Sequence, residues 1–319
     1  LHLFAAMRIF RHFEALPAEA RGAAAAIGNF DGVHRGHQAV IAEAGHIARA
    51  AAVPLAVLTF EPHPRGFFRP DAEPFRLTPF RTKAHHIEEL GVDYMIVLHF
   101  DGEFSLLTAA DFIRKVLVEG LGVHHVVSGY DFVFGHRRQG DCELLLRMGR
   151  EQGFGYSCVK AVENGDGQIY SSTGVRDCLE AADPRAAARM LGRDYEVEGR
   201  VEKGDQRGQA IGFPTANMHL GEYMRPANGV YAVRAGIDKG RDTVWLDGAA
   251  NLGHRPTFPT TEVILEVHLF DFDGDLYGRH LRVRLVDYLR AEKKFDGLDD
   301  LKAQIATDCA RARDILTGQ

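Results

Sequence analysis

One stretch near the start of the chain decides the fold of its first half: Gly28-Asn29-Phe30-Asp31-Gly32-Val33-His34-Arg35-Gly36-His37. It follows an apolar run, Ala23–Ile27, which predicts a buried strand, and it precedes residues 38–52, where apolar side chains recur at helical spacing. The stretch is therefore a strand-to-helix turn. At such a turn, free backbone N–H groups and the positive end of the helix dipole attract phosphate.

Two histidines in this stretch, His34 and His37, stand three residues apart and share one face of the first helical turn. Imidazole donors beside a helix N-terminus suit a phosphoryl group in transfer, and Gly28 and Gly36 allow the backbone to approach closely. The alternative interpretation is a tight glycine-rich turn with two solvated histidines.

A second segment with similar chemistry lies far downstream, at Ser171-Ser172-Thr173-Gly174-Val175-Arg176. Hydroxyl groups at the start of a helix donate to phosphate oxygens, and Arg176, one turn later, can bind two such oxygens with its planar guanidinium. The alternative is an ordinary helix N-cap followed by a surface arginine.

Together the two segments resemble the His-x-Gly-His and Ser-Ser-Thr-x-x-Arg motifs of the nucleotidyltransferase superfamily. The resemblance implies that ATP binds here and that His34, His37 and Arg176 stabilise the charge that develops at the reacting phosphate. It also assigns nucleotide binding to further residues of the two motifs: Gly28, Asn29, Phe30, Asp31, Gly36, Ser171, Ser172 and Thr173. Many relatives have arginine where this chain has Gly174, so we expect a weaker grip on the triphosphate.

The composition narrows the class of function. The chain has 319 residues, which favours two domains, and 38 basic against 44 acidic residues give a formal net charge of −6. A mildly acidic chain without a basic block argues against an extended nucleic-acid surface. The four scattered cysteines predict reduced thiols rather than disulfides or zinc ligands. No apolar run approaches the ~20 residues of a membrane span and no secretory signal is recognisable, so we expect a cytoplasmic protein.

The first part of the chain alternates apolar strands with helices, which predicts a doubly wound parallel α/β sheet of the Rossmann-like type. Ligands bind beyond the carboxyl ends of such strands, so Asp131, which follows one of them, is a candidate ligand contact. Phe132 and Phe134 beside it suit either a ligand contact or the core. The predicted strands are Ala23–Phe30, Val53–Phe60, Val92–Phe100, Val123–Tyr130 and Gly155–Val162, and the predicted helices include Arg81–Leu90, Ala109–Leu121 and Cys142–Gln152.

From about Tyr195 the pattern changes to short runs of period two with Gly and Asp turns between them, which predicts a small antiparallel β-barrel. An amphipathic segment, Leu298–Leu316, predicts a terminal helix packed on the barrel. A helix end followed by a helix start near residue 184 predicts the boundary between domains 1–184 and 185–319. The predicted strands are Arg200–Lys203, Gly229–Ala235, Val263–Phe270 and Arg282–Tyr288.

The second half carries its own succession of motifs, which closely resembles riboflavin kinase. With the first half, the chain resembles the bacterial bifunctional riboflavin kinase and FAD synthetase family over nearly its whole length. The motifs are Gly212-Phe213-Pro214-Thr215-Ala216-Asn217, Asn251-Leu252-Gly253-His254-Arg255-Pro256-Thr257-Phe258, Leu265-Glu266-Val267-His268 and Tyr288-Leu289-Arg290.

The resemblance implies two ATP-dependent reactions. The kinase half would move the γ-phosphate of ATP to the ribityl 5′-hydroxyl of riboflavin, which gives FMN. The adenylyltransferase half would join FMN to AMP from a second ATP, which gives FAD and pyrophosphate. ATP, riboflavin, FMN and FAD are then the expected small-molecule partners. Homo-oligomers and transient contacts with apoflavoproteins stay open.

The residue types of the kinase half fit this assignment. Thr215 and Asn217 offer neutral oxygens to a Mg²⁺ ion that takes its remaining charge balance from ATP phosphates. Glu266 is the candidate general base toward the flavin hydroxyl, and its alternative is an outward charge on a strand. Arg290 would orient phosphate or flavin, and its alternative is a solvated arginine at a strand end. The remaining positions that the resemblance assigns to ATP binding are Gly204, Gly212, Phe213 and Pro214.

Two other functions stay open at this point. One is an enzyme with a single activity, in which one half only binds flavin. The other is a non-catalytic, flavin-responsive binding protein, against which the intact His34, His37, Thr215, Asn217 and Glu266 argue. Gln209, which stands where relatives have arginine, predicts a lower affinity for ATP.

Overall fold

In a computed structural model, which describes residues 6–202, 212–254 and 263–318, residue contacts divide the chain into two units. The first unit is Leu1–Ala72 with Lys83–Tyr170, and the second is Glu73–Thr82 with Ser171–Gln319. Each is described by itself below. The boundary between residues 184 and 185 stays a prediction about the domains.

The first unit is built on a sheet of six strands, all of them parallel to their neighbours, in the order β1-β4-β3-β2-β5-β6. This confirms the predicted doubly wound sheet. The three-residue strand β1 is an addition that the sequence pattern did not predict. The strands are β1 (Arg8–Phe10), β2 (Ala24–Ile27), β3 (Leu55–Glu61), β4 (Tyr94–His99), β5 (His125–Gly129) and β6 (Gly155–Val159).

Helices connect these strands and cover the sheet. Every residue of β2 is buried, and its small alanines let helices pack closely on the sheet. On one side of the sheet, Ala25 and Ile27 of β2 pack in one apolar core with Phe112 and Ile113, which belong to the π-helix that continues α5. The helices are α1 (Arg35–Ala51), α2 (Pro64–Phe68), α3 (Phe80–Glu89, of which the residues from Lys83 onward belong to this unit), α4 (Gly102–Ser105), α5 (Ala109–Asp111, continued as a π-helix over Phe112–Gly120) and α6 (Cys142–Gln152).

The strand order reverses at β2, which pairs with β3 on one side and with β5 on the other. The register aligns Ile27 with Ser128, so the two strands end side by side. The connections that follow them leave in opposite directions, which opens a crevice at the carboxyl edge of the sheet. The crevice lies between two candidate segments. One is the turn with glycines and histidines that follows β2, and the other is the segment with Asp131 that follows β5.

The second unit contains six antiparallel strands in the order β7-β12-β9-β10-β11-β8. A bridge closes the ring, because the backbone N–H of Glu202 donates to the carbonyl of Asn217 at 2.9 Å. The predicted barrel is therefore confirmed. The strands are β7 (Tyr195–Arg200), β8 (Ala216–His219), β9 (Gly229–Ile237), β10 (Leu246–His254), β11 (Val263–Leu269) and β12 (His280–Arg290).

Two differences from the predicted barrel strands have a physical cause. The predicted strand Arg200–Lys203 is wrong in its bounds, because the ladder with β12 runs from Tyr195 to Arg200. Its last residue, Lys203, lies outside the described residues. Strand β10 was not predicted, since Gly and Asn residues weaken its period-two pattern.

Within the described part of Ser171–Gln319 the α-helices are α7 (Ser172–Glu180), α8 (Pro184–Leu191) and α9 (Leu298–Thr317). The carboxylate of Asp183 accepts the N–H of Ala186, and Pro184 occupies the first turn, so the predicted helix start is confirmed. The predicted terminal helix is also present. Its residues Ala312 and Leu316 pack against the barrel in an apolar cluster with Val230, Ala232, Ala249 and Val286.

A short segment of the first half, Glu73–Thr82, belongs to the second unit. The backbone N–H of Met224 donates to the carbonyl of Arg76 at 2.8 Å. The buried hydroxyl of Tyr223 bonds to Thr82 and accepts the N–H of Glu198 at 2.9 Å. Burial raises the pKa of the Tyr223 phenol, so this hydroxyl stays protonated. The sequence pattern did not predict that this segment contributes to the second unit.

Helix α9 is fixed to the barrel by an ion pair. Both Nε and Nη2 of Arg290, the last residue of β12, donate to the carboxylate of Asp308, at 3.0 Å and 2.7 Å. Asp308 is 6% exposed and also accepts from Gln304. Paired, nearly buried charges of this kind are costly to separate, so the contact holds the helix in register with the strand.

Replacing Asp308 with Ala should lower the free energy of unfolding of the second unit by about 2–3 kcal/mol, because Arg290 loses its charged partner in a nearly buried position. The measurement is urea unfolding followed by the fluorescence of Trp245, the only tryptophan in the chain, which lies in the second unit. The matched control is Asp271→Ala, which breaks the exposed pair with Arg313 on the same helix. That control should cost less than about 1 kcal/mol. Equal effects of the two changes would contradict the anchoring role.

Candidate active sites

The turn after β2 is held in an unusual backbone conformation. Phe30, Gly32 and Val33 have φ values of 50°, 86° and 44°, so two non-glycine residues adopt the left-handed region. Each such residue costs on the order of 1 kcal/mol, a cost that often marks a functional site. Packing offsets it here, since Phe30 and Val33 are each 1% exposed. The side-chain amide of Gln38 also donates to the carbonyl of Val33 at 2.9 Å.

The two histidines meet at the start of helix α1. His34 is the N-cap, and its Nδ1 accepts the backbone N–H of His37 at 3.4 Å. Because Nδ1 is an acceptor, the neutral ring of His34 carries its proton on Nε2. The two imidazole rings stack with centroids 3.6 Å apart, and the ring of Phe30 lies 5.3 Å from that of His37. The histidines therefore form one rigid pair at a helix N-terminus.

Gly36 occupies a confined position at this start of the helix. A Cβ at this position would lie 3.1 Å from the ring of His34 and 3.2 Å from the carbonyl oxygen of Tyr170. Such distances are tighter than ordinary contact, so a larger residue requires the His34 ring or the Tyr170 backbone to shift by a few tenths of an ångström. The close approach explains the glycine between the two histidines.

The other candidates of the first unit surround the same crevice. The N–H of Gly28 donates to Leu58 at 3.1 Å, and the carbonyl of Asn29 accepts the hydroxyl of the buried Thr59 at 3.2 Å. Asp31 is 3% exposed. Across the crevice, the carboxylate of Asp131 folds over Gly129 at the end of β5. The structure thus brings Gly28, Asn29, Phe30, Asp31, His34, Gly36, His37 and Asp131 to one edge of the sheet.

Phe132 and Phe134 follow Asp131, and their rings stack with centroids 5.5 Å apart. Phe134 is buried in the core of the first unit, and Phe132 packs against that core. Of the two alternatives that the sequence left open, packing accounts for Phe134.

The Ser171–Arg176 segment begins helix α7 in the second unit. The hydroxyl of Ser171 accepts the N–H of Gly174 at 3.1 Å, as an N-cap does, while its own O–H can still donate. Ser172 and Thr173 form the first turn. Arg176 donates from Nε to the carbonyl of Phe75 at 2.8 Å, and its guanidinium lies over the ring of Phe75. Phe75 therefore fixes the direction of this arginine.

Two of the kinase-half candidates, Asn217 and Glu266, lie in one row across the barrel. The register opposes Asn217 of β8 to Glu266 of β11, Glu266 to Asn251 of β10, and Asn251 to Val230 of β9. Directly opposed residues of antiparallel strands project from the same face of the sheet. Glu266 is half-buried, whereas its neighbours in β11 are fully buried on the other face. An amide, a carboxylate and a second amide are thus side by side.

The amide oxygen of Asn217 is the most informative atom in this row. The residue is 7% exposed, and its Oδ1 has no hydrogen-bond partner within the part of the chain that the structure describes. Thr215 lies two residues earlier and is half-buried. A buried neutral oxygen opposite a carboxylate is a pair of donors that suits a hard cation such as Mg²⁺.

The segment before Asn217 is held by His268 of β11. Its Nδ1 lies 2.9 Å from the carbonyl of Pro214, and its ring lies edge-on to Phe213 with centroids 5.5 Å apart. Gly212 has a φ of 90°, a conformation that glycine adopts readily. Gly204 lies outside the described residues, as do residues 255–258 of the second kinase motif.

Comparisons with known proteins match both halves of the chain. The model of the FAD synthetase family matches residues 16–173, and that of the riboflavin kinase family matches residues 191–316. Curated bifunctional riboflavin kinase/FMN adenylyltransferases match almost end to end. The protein of Escherichia coli K12 is 43% identical over 93% of this chain and 94% of its own length. That of Pseudomonas fluorescens is 45% identical over 96% and 97%.

The chain belongs to the bifunctional riboflavin kinase/FMN adenylyltransferase family. A more distant member, from Bacillus subtilis, is 38% identical over 89% of both chains. Among solved structures, a protein described as a macrolide-efflux protein from Streptococcus pneumoniae is similar with a TM-score of 0.81 and 28% identity, over 95% of this chain and 97% of that one. In residues 6–202, 212–254 and 263–318, no helix is both long and apolar enough to cross a membrane.

A departure from the motif of related nucleotidyltransferases has a structural reason. Gly174 stands where many have arginine, and a Cβ there would lie 3.0 Å from the terminal carbon of Met190 in α8. The two helices pack closely at this point, which favours glycine. A side chain at this position requires Met190 to move by a few tenths of an ångström.

One residue of the barrel row and one buried ion pair of the first unit were not singled out from the sequence. Asn251 was quoted only as part of a motif, and the register is what places it beside Glu266. Lys83 is fully buried and lies with its Nζ 3.0 Å from Glu61 at the end of β3. The sequence signal for this pair was weak, because the two residues stand 22 positions apart.

Proposed function

We propose that this protein makes FAD from riboflavin in two steps, each with its own ATP. It is a transferase with two activities, riboflavin kinase and FMN adenylyltransferase. The observation that carries the proposal is that relatives with both activities match the chain over both halves. The stacked histidines in the first unit and the Asn217–Glu266 row in the second support one phosphate chemistry each.

In the adenylylation step, a phosphate oxygen of FMN attacks the α-phosphorus of ATP, and pyrophosphate leaves. The attacking group is already anionic, so a side-chain nucleophile is not required. Nε2 of His34, the ring of His37 and the N-terminus of α1 stabilise the charge that develops on the α-phosphate. Gly28, Asn29, Phe30, Asp31, Gly36 and Asp131 bind the nucleotide and flavin, and Ser171, Ser172, Thr173 and Arg176 hold the triphosphate.

In the kinase step, the ribityl 5′-hydroxyl attacks the γ-phosphorus, and ADP leaves. Glu266 accepts the hydroxyl proton as the new O–P bond forms. A large rise in its basicity is not needed, because phosphoryl transfer depends mainly on positioning and on charge stabilisation. We assign ATP binding in this site to Gly212, Phe213 and Pro214, and the assignment of Gly204, outside the described residues, stays a prediction.

Thr215 and Asn217 would hold Mg²⁺ in the kinase site. The fit rests on the buried Oδ1 of Asn217, for which a cation is a suitable partner. When bound, Mg²⁺ neutralises charge on the ATP phosphates. Arg290 orients the phosphate or the flavin in our proposal, from the strand end where Asp308 holds it. A cytoplasmic location, homo-oligomers and contacts with apoflavoproteins stay predictions.

The test of the function is product analysis by chromatography after incubation of the pure protein with riboflavin, ATP and Mg²⁺. We expect FMN to appear first and FAD to follow. A parallel reaction with FMN in place of riboflavin isolates the second step. FMN without FAD would contradict the adenylyltransferase assignment, FAD formed only from supplied FMN would contradict the kinase assignment, and a lack of turnover would favour a flavin-binding protein.

His37→Ala should slow FAD synthesis from FMN by roughly 2–4 kcal/mol of activation free energy, because a donor to the reacting phosphate is lost. FMN formation from riboflavin should continue. The matched control is His46→Ala, which removes a largely exposed histidine from the same helix. Near-normal FAD synthesis in His37→Ala, or an equal loss in the control, would place the histidine pair outside the reaction.

Glu266→Ala and the isosteric Glu266→Gln should each reduce FMN formation by about 10²–10⁴-fold, since both remove the base. FAD synthesis from supplied FMN should be unchanged, and urea unfolding followed by Trp245 fluorescence shows that the second unit is folded. If the Gln variant keeps its kinase activity, Glu266 acts by shape or hydrogen bonding and not as a base. If both reactions fall together, the two sites are not independent.

A further inference from the structure

Two cysteines that lie 16 residues apart in the sequence meet at the carboxyl edge of the first sheet. Cys142 is the first residue of α6 and is half-buried, whereas Cys158 lies in β6 and is exposed. Their sulfur atoms are 3.2 Å apart. The disulfide distance is about 2.05 Å, so a movement of about 1 Å would join them.

The pair lies directly beside the crevice of the first unit. The thiol of Cys142 is 3.6 Å from the carbonyl of Gly129 and 3.7 Å from that of Tyr130. Cys158 is paired in register with Ser128 of β5. The next residue after these carbonyls is Asp131, which we assign to ligand binding. The Cys142 thiol therefore contacts the backbone immediately before Asp131.

We propose that Cys142 and Cys158 form a reversible disulfide that slows FMN adenylylation. The effect on the reaction rests on the function proposed above, whereas formation of the bond does not. The other two cysteines, Cys178 and Cys309, belong to the second unit and have no part in it.

A low-molecular-weight disulfide such as oxidised glutathione is the oxidant. The thiolate of Cys158, the more exposed of the two, attacks one glutathione sulfur, the S–S bond of glutathione breaks, and one glutathione thiolate leaves. The thiolate of Cys142 then attacks the sulfur of Cys158, and the second glutathione leaves. Two cysteine thiols are oxidised to one disulfide, and one glutathione disulfide is reduced to two thiols. The two protons released by the cysteines protonate the two glutathione thiolates.

The bond would act on the crevice through the segment between β5 and α6. Residues 130–141 connect the two elements, and the proposed disulfide would tie the start of α6 to β6. Burial raises the pKa of the Cys158 thiol, with Cys142 and Asp131 adding to the effect, so only a small fraction is thiolate near neutral pH and the attack on the oxidant is slow. A displaced α6 start moves the segment that carries Asp131, and misplacement of about 1 Å at a binding group can cost up to 10²-fold in rate.

The first measurement is chemical and does not depend on activity. Native protein incubated with oxidised glutathione should lose two of its four titratable thiols, and dithiothreitol should restore them. Cys142→Ser should stop at a mixed disulfide, detected as the added mass of one glutathione on Cys158. The matched control is the double variant Cys178→Ser/Cys309→Ser, which should still lose two thiols. Four thiols persisting in the wild-type protein would overturn the proposal.

The second measurement compares both activities before and after oxidation. FAD synthesis from FMN should fall about tenfold in the oxidised protein and return with dithiothreitol, while FMN formation from riboflavin stays constant. Cys158→Ser should keep full FAD synthesis with or without oxidised glutathione. An oxidised protein with unchanged FAD synthesis would overturn the regulatory role. Reduced protein that makes no FAD would instead overturn the proposed function, and the thiol titration still decides the disulfide.

Discussion

The hydrogen bonding of strand β2 on both of its edges is the constraint on which the first unit depends. Its four residues are buried and hydrogen-bonded to β3 on one side and to β5 on the other, so β2 is a central strand and the chain that follows it emerges at the carboxyl edge of the sheet. The next element is a helix that must pack back on the sheet, and the strained turn at residues 28–33 is the short path between them. The N-terminus of α1 and its stacked histidines are consequently aimed at the crevice where the strand order reverses.

Register plays the corresponding part in the barrel. Period two determines which residues share a face, but only the pairing of β8, β11 and β10 places Asn217, Glu266 and Asn251 side by side. A shift of one residue in β11 would replace the carboxylate with a buried apolar side chain. The Glu202–Asn217 bridge fixes this register, because it closes the ring at the residue that begins the row.

The sequence predicted those features whose signals are local. The strand-to-helix turn, the N-caps, the parallel and antiparallel patterns and the motif residues all follow from neighbours within a few positions. Contacts between distant segments were not predictable in this way. The Arg290–Asp308 anchor, the return of Glu73–Thr82 to the second unit, and the Cys142–Cys158 contact each depend on packing. Strand β1 is too short, with three residues, for its pattern to be distinguished from a loop.

The nature of each nucleophile explains why the two sites differ. An FMN phosphate is charged before it reacts, so the first site needs donors and a positive helix end to balance charge, and we propose His34 and His37 for this role. A ribityl hydroxyl is neutral and must lose a proton, so the second site needs a carboxylate within reach, and we propose Glu266 for this role. Imidazoles at a helix N-terminus therefore suit a nucleophile that is already anionic, whereas a carboxylate in a row of strand residues suits a nucleophile that must first lose a proton.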